Sequence, residues 1–236
     1  MQGTRIAEQG EDSSLHLLSR WRLSSEEQVM PDAYELHLWL IDLDRTPSAF
    51  LPVLSADELA RGECFVSRND GRRFMVARGA TRKILGRYLN QEALRLEFAY
   101  GPLGKPAIRW PCCDLQFNLS HAGDRALLAV RSGLPVGVDL EPIRPRTNIR
   151  KIADRIFDWE TAQGLNGIEG EELLRAFLYR WTELEARVKA LGKGVFNTDT
   201  GALPCLGFQP EEGWIGAVAS TKALPPLDKW ALFRFQ

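Results

Sequence analysis

Apolar residues recur at helical spacing between residues 170 and 191. Set about 100° apart, Leu174, Phe177, Leu178, Trp181, Leu184 and Val188 share one stripe, which ends at Gly192 and Gly194. A different period marks "YELHLWLIDL", where Leu36, Leu38 and Leu40 alternate with Glu35, His37 and Trp39 as in a half-buried strand. Ser55 three residues ahead of Glu58 makes a capping box and starts a helix through "LSADELARGECF". The arginine-rich run "NDGRRFMVARGATRKILGRYL" predicts a longer helix with Phe74, Ala77, Ile84, Leu85 and Leu89 on its core face. "YGPLGKPAI" is a turn-rich loop. The stretch from Leu115 to Ile143 divides into short strands broken at Ala122-Gly123 and Ser132-Gly133. Another helix at residues 149–157 and strands "GWIGAVAS" and "KWALFRFQ" complete the pattern. Residues 1–33 carry no clear period and are expected to be a loosely attached extension or a short helix. The remainder divides at 34–134 and 135–236, two successive sets of helices with a small, largely antiparallel sheet: an α+β chain.

Composition narrows the function classes. The chain has 236 residues, 44% of them hydrophobic, and 30 Lys+Arg against 31 Asp+Glu leave a net charge of −1. So even a balance gives no global attraction to nucleic acid or to a membrane surface. No apolar run approaches the roughly 20 residues of a membrane span, and no signal-peptide core is present. A cytoplasmic monomer is expected. Cys64, Cys112, Cys113 and Cys205 form no C-x-x-C, so reduced, partly buried thiols are expected instead of a zinc site.

Charge inside the apolar pattern is more informative. Glu185 falls within the helical stripe, between Trp181 and Leu178, with Lys189 one turn on. An unpaired carboxylate there would cost several kcal/mol on burial, so it needs a partner. In "PVGVDLEPI", Val136, Val138 and Leu140 point one way while Gly137, Asp139 and Glu141 point the other. Gly137 lets something approach the backbone beside these acids. Asp139, Glu141 and Glu185 are the hard oxygen ligands that Mg²⁺ takes, and Mn²⁺ suits the same set. Lys189 is placed to neutralise a phosphoryl group. Ser120 and His121 face opposite sides of a strand, so they make no nucleophile–base pair without a special turn, and a phosphate-contacting pair at a strand end is expected instead. "GPLGKP" lacks the spacing and the hydroxyl of a nucleotide-hydrolase loop, yet it presents Lys105 on a rigid turn. Arg72, Arg73, Arg78, Arg82, Lys83 and Arg87 are a solvated helix face or a local field for an anionic ligand.

Taken in order, "LSADELARGECF", the arginine-rich helix, "GKP", "FNLSHAG", "VGVDLE" and "WTELEARVKALGKG" resemble the surfactin-type 4′-phosphopantetheinyl transferases of the holo-acyl-carrier-protein synthase superfamily. The resemblance covers residues of roughly 54 to 194. It implies two similar α+β halves related by a pseudo-twofold, with coenzyme A in the cleft between them. It also implies Mg²⁺-dependent transfer of phosphopantetheine from coenzyme A to a serine of an apo acyl or peptidyl carrier protein, releasing 3′,5′-ADP. Asp139, Glu141 and Glu185 would hold the metal. Glu185 or a metal-bound water would deprotonate the serine, and Lys189 would steady the phosphate. Arg73, Lys105, Ser120 and His121, with Arg61 as a further candidate, would hold the nucleotide end.

One residue departs from the pattern: the family has lysine before the helix glutamate, and here Leu184 stands in its place. Leu184 is expected to pack in the core of the second half, leaving the phosphate charge to Lys189 and Lys193. The same departure motivates an alternative, a catalytically weakened module that binds coenzyme A or a carrier protein. A generic Mg²⁺-dependent phosphohydrolase shares the acids but has no use for a carrier surface.

Overall fold

The computed structural model describes residues 20–23, 30–193 and 201–235. Most of the expected N-terminal extension, and Gly194 of the helix stop, lie outside these residues. The fold is α+β, with small sheets and packed helices. Five strands form one sheet: β1 (Arg22–Leu23), β2 (Leu36–Asp42), β5 (Leu115–Ala122), β6 (Arg125–Ser132) and β10 (Trp230–Phe235), in the order β1-β10-β2-β6-β5. A hairpin pairs β3 (Glu97–Tyr100) with β4 (Pro106–Trp110), and a three-stranded sheet runs β7 (Val136–Pro142), β9 (Trp214–Ser220), β8 (Cys205–Phe208). All pairings are antiparallel except those of β10, which lies parallel to both β1 and β2. The helices are α1 (Ala56–Glu63), α2 (Arg68–Leu89), α3 (Ile149–Ile156), α4 (Trp159–Gln163) and α5 (Gly170–Leu191).

Strand β2 is buried on both faces, not half-buried as its alternation suggested. Trp39 and Ile41 pack with Val76, Ala77, Ala80 and Ile84 of α2, whereas Leu36 and Leu38 pack with Val136, Val138, Leu140 and Val218. A strand with α2 on one side and a second sheet on the other has no wet face. Buried His37 has its Nδ1 2.7 Å from the Tyr88 hydroxyl, and that hydroxyl accepts from Trp39 Nε1 at 2.8 Å. The sequence read as a loop around residue 101 is the tip of the β3–β4 hairpin, and α4 and β8 carried too little periodicity to be found. Arg22–Leu23, expected to hang loose, instead joins β10, and Arg20 donates to the carbonyls of Leu227 and Trp230.

The capping box forms as expected: the Ser55 backbone N–H donates to Glu58 Oε2 at 3.1 Å. The second sheet turns its outer face to α5. Ala217 and Ala219 of β9 pack there with Ala186 and Ala190, and Ile215 packs with Phe177 and Leu178. The approach is closest at Gly137, where a Cβ would lie 2.1 Å from the Ala186 carbonyl oxygen and 2.3 Å from the Ala190 nitrogen. The close approach expected at this glycine is made by the backbone of α5. Its consequence is functional, because it seats α5 directly over Asp139.

Candidate active site

The edge of the first sheet, β5, lies beside the edge of the second, β7. Their backbones form no ladder. Instead the Val138 N–H donates to the buried Asn118 side chain at 2.8 Å. Two residues along β5 and one along β7, the Ser120 hydroxyl donates to Asp139 Oδ1 at 2.8 Å. Lys189 reaches down from α5 and donates to the same Oδ1 at 2.6 Å and to Ser120 Oγ at 3.1 Å. Its ammonium also stands 3.8 Å from Glu185 Oε2. The partner Glu185 requires is therefore Lys189 together with whatever binds the seam. Glu141 is paired 2.5 Å away with Arg146, in the segment after β7.

Three carboxylates and two cations thus share this seam. Burial raises the proton affinity of Glu185; Lys189 opposes that shift, and the charges of Asp139 and Glu141 add to it. Burial likewise raises Glu141, opposed by Arg146 and reinforced by Asp139. Asp139 is only 4% exposed, and its Oδ2 is buried without a hydrogen-bond partner among the described residues. Such an oxygen is costly unless something binds it. Among the described residues no three His, Cys, Asp or Glu side chains converge closely enough to hold a metal as they stand. The hard oxygen donors and the orphaned Asp139 oxygen fit Mg²⁺ chemically. Lys189 bonds Asp139 Oδ1 and Arg146 bonds Glu141 Oε2.

The expected nucleotide-binding residues divide. His121 is exposed to water yet walled by protein, and that packing lowers its pKa, with the Lys189 charge adding and Asp70 opposing. Arg73 donates to both oxygens of Asp44, at 2.9 and 3.2 Å, and also feels Asp124 and Asp70. Both His121 and Arg73 feel the charge of Asp70, at the start of α2. Ser120 is turned to Asp139 and Lys189. Lys105 is held by two backbone carbonyls, and burial lowers its pKa to about 8. Arg61 stacks over Phe74, 5.3 Å from the ring centre.

The basic helix is not a solvated face. Arg78 and Arg82 are buried on Glu58, Arg72 joins Arg73 on Asp44, and Lys83 donates to the Ala49 carbonyl. Arg87 stacks on Phe235. Two residues the motifs did not single out matter here. Asn118, a lone amide inside "LQFNLS", staples β5 to β7, and Arg146 pairs with a seam acid. The polar side chain in an apolar strand was the available signal for the first. Proximity to the acid motif was the signal for the second.

Leu184 is half-buried and, among the described residues, belongs to none of the hydrophobic clusters, so the expected core position is corrected. The helix seats itself through Thr182, Ala186 and Ala190, whose small side chains fit the close approach at Gly137. That rotation leaves Leu184 at the margin, about 140° around the helix from Lys189. Leu184→Lys is consequently expected to change unfolding free energy by less than about 1 kcal/mol, because a marginal lysine can extend into water. Denaturant melts check this; a loss of several kcal/mol would restore the core assignment.

The four cysteines are free, and burial pushes the Cys205 thiol up to about 12. No helix among the described residues is long and apolar enough to cross a membrane.

Residues 135–208 match the sequence model of the 4′-phosphopantetheinyl transferase superfamily, and residues 43–133 match that of the 4′-phosphopantetheinyl transferase N-terminal region. The 4′-phosphopantetheinyl transferase HetI of Nostoc sp. is 39% identical over 166 residues, 68% of this chain and 70% of that protein. A Synechocystis sp. protein is 36% identical over 164 residues, covering 67% of this chain and 65% of its own. The 4′-phosphopantetheinyl transferase AcpT of Salmonella typhimurium is 40% identical over 111 residues, 46% of this chain and 57% of AcpT.

Proposed function

The chain belongs to the 4′-phosphopantetheinyl transferase family, and we propose that it moves phosphopantetheine from coenzyme A to a serine of an apo acyl or peptidyl carrier protein. The observation that carries this reading is the seam itself, where Asp139, Lys189 and Ser120 bond to one another beside Glu185 and Glu141. Phosphoryl transfer asks a protein mainly for positioning and for charge around the phosphorus. Asp139, Glu141 and Glu185 would hold Mg²⁺, which would supply positive charge to the phosphoryl oxygens. Glu185 would take the proton of the carrier serine. The serine oxygen then bonds to the phosphorus that bears the pantetheine arm. The bond between that phosphorus and the bridging oxygen breaks, and 3′,5′-ADP leaves with the electron pair. Lys189, its ammonium already 2.6 Å from Asp139, neutralises charge that develops on the transferring group.

His121 and Arg73 would hold the nucleotide end; Arg73 Nε and Nη2 bond Asp44. His121→Ala or Arg73→Ala should raise the KM for coenzyme A about tenfold, the scale of one charge-assisted hydrogen bond, and leave that for the carrier nearly unchanged. Dephospho-coenzyme A, which lacks the 3′-phosphate, should be much less sensitive to both changes. Equal losses with the two donors would move these residues out of the pocket. The overall reading is tested by following 3′,5′-ADP release with coenzyme A and an apo carrier. Release should stop on chelation and return with Mg²⁺. Release that is independent of carrier would favour a hydrolase.

A further inference from the structure

Lys105 closes the turn of the β3–β4 hairpin, and its side chain crosses to the second sheet. The turn is fixed by Gly104 at φ 78° and by a bond from the Gly101 N–H to the Lys105 carbonyl at 3.0 Å. From there the Lys105 ammonium donates to the Lys189 carbonyl at 2.6 Å and to the Val136 carbonyl at 3.1 Å. Val136 opens β7, three residues before Asp139. Lys189 is the residue whose side chain meets Asp139. One ammonium therefore ties together the backbones of the two elements that present the reacting groups.

The end of α5 is built to accept this cation. Gly192, at φ 66°, donates its N–H to the Lys189 carbonyl at 3.2 Å, and the Lys193 N–H reaches the Val188 carbonyl at 3.0 Å. This pairing is the Schellman termination, and it uses one lone pair of the Lys189 carbonyl. The other lone pair takes Lys105, at the negative end of the helix dipole, where a positive charge is favoured. The hairpin that carries Lys105 is anchored in turn: Arg78 donates to the Tyr100 hydroxyl at 2.7 Å, and Arg78 and Arg82 each lie 5.0 Å from the Phe98 ring centre.

We propose that Lys105 is a positioning residue for the transfer reaction, clamping the last turn of α5 to the start of β7 so that Lys189 meets Asp139, and that it does not hold the nucleotide. This inference rests on the transferase reading. It replaces a substrate contact by a contact between protein elements, and the two assignments separate cleanly in kinetics. Loosening the clamp lets Lys189 drift from the transferring group, which lowers kcat. Losing a nucleotide contact weakens coenzyme A binding and raises its KM.

The experiment compares Lys105→Met, Lys105→Gln and Lys105→Arg with the unaltered protein, well below their melting temperatures. Turnover is measured at saturating coenzyme A and carrier, and coenzyme A binding by calorimetry without carrier. Lys105→Met is expected to lower kcat tenfold or more with coenzyme A affinity within twofold. Lys105→Arg, which keeps the charge and two donors, should recover most of the rate. Lys105→Gln, with donors but no charge, should fall between them, and it serves if the Met variant does not fold. A tenfold weaker affinity for coenzyme A with kcat retained would overturn the inference and make Lys105 a nucleotide ligand. Unchanged kcat in both neutral variants would overturn it too. Failure of the unaltered protein to bind coenzyme A or modify any carrier would instead sink the transferase reading.

Discussion

Asp139→Asn is expected to lower turnover by about 10²–10³-fold while leaving the melting temperature unchanged or higher. The rate loss is on the scale of removing one electrostatic element of an active site. The stability gain follows from the surroundings. Asp139 is buried, its Oδ2 has no hydrogen-bond partner among the described residues, and its charge helps raise the proton affinity of both Glu141 and Glu185. Neutralising it removes like-charge repulsion and exchanges a desolvated carboxylate for an amide. Lys189 does not become an unpaired charge, because Glu185 remains 3.8 Å away and its own side chain is 28% exposed. A group that burdens the fold and yet sits at the junction of β5, β7 and α5 fits the proposed chemical role, a known trade between stability and activity. Thermal melts and transfer rates on the same preparation check both halves of the prediction. A variant that melts much lower would make Asp139 a structural residue.

The second large effect lies away from the seam. Glu58→Gln is expected to cost roughly 3–5 kcal/mol, the range for breaking a buried ion pair from one side. It should lower the melting temperature by on the order of 10 °C. Glu58 is 2% exposed and accepts from Arg78 Nε and Nη2 at 3.0 and 2.6 Å, from Arg82 Nε at 2.6 Å, and from the Ser55 N–H at 3.1 Å. Two guanidinium groups would be left buried beside a neutral amide. Arg82 Nη1 also serves the carbonyls of Ala93 and Leu96, at 3.0 and 2.8 Å, so the damage spreads to the connection that leads into β3. Burial alone would raise the Glu58 carboxyl, but the two arginines hold it below its ordinary 4.5. Its contribution is therefore intact above that pH and is lost as pH falls through the lower folded value. Acid titration of stability should show a shallower loss below pH 4.5 in Glu58→Gln than in the unaltered chain. Turnover at low temperature should survive in part, since the network supports the hairpin and touches no reacting group.

Much of this was legible in the sequence because the signals were local. The period of "PVGVDLEPI" assigned Asp139 and Glu141 to the face opposite Val138, and β7 keeps that alternation. The capping box named Ser55 and Glu58. The stripe of α5 marked Glu185 and Lys189 as charges in a burying face. What was not legible depended on contacts between distant segments. That β2 is covered on both sides follows from α2 and the second sheet meeting it, which its own alternation cannot report. The arginines of α2 looked like a solvated face because their partners, Glu58 and Asp44, lie on other elements. Leu184 was misplaced because the rotation of α5 is set by the bare backbone of Gly137, on another strand. Lys105 and Arg146 have roles only through carbonyls and carboxylates that the chain brings to them on folding.

The central claim is that the β5–β7–α5 seam performs phosphopantetheine transfer. It is tested most directly by the intact mass of an apo carrier protein after incubation with this chain, coenzyme A and Mg²⁺. The unaltered chain should add one phosphopantetheine to the carrier serine. Asp139→Asn, folded by its melting curve, should leave the carrier mass unchanged over the same interval. Modification by both proteins at similar rates, or by neither with any carrier supplied, would contradict the account.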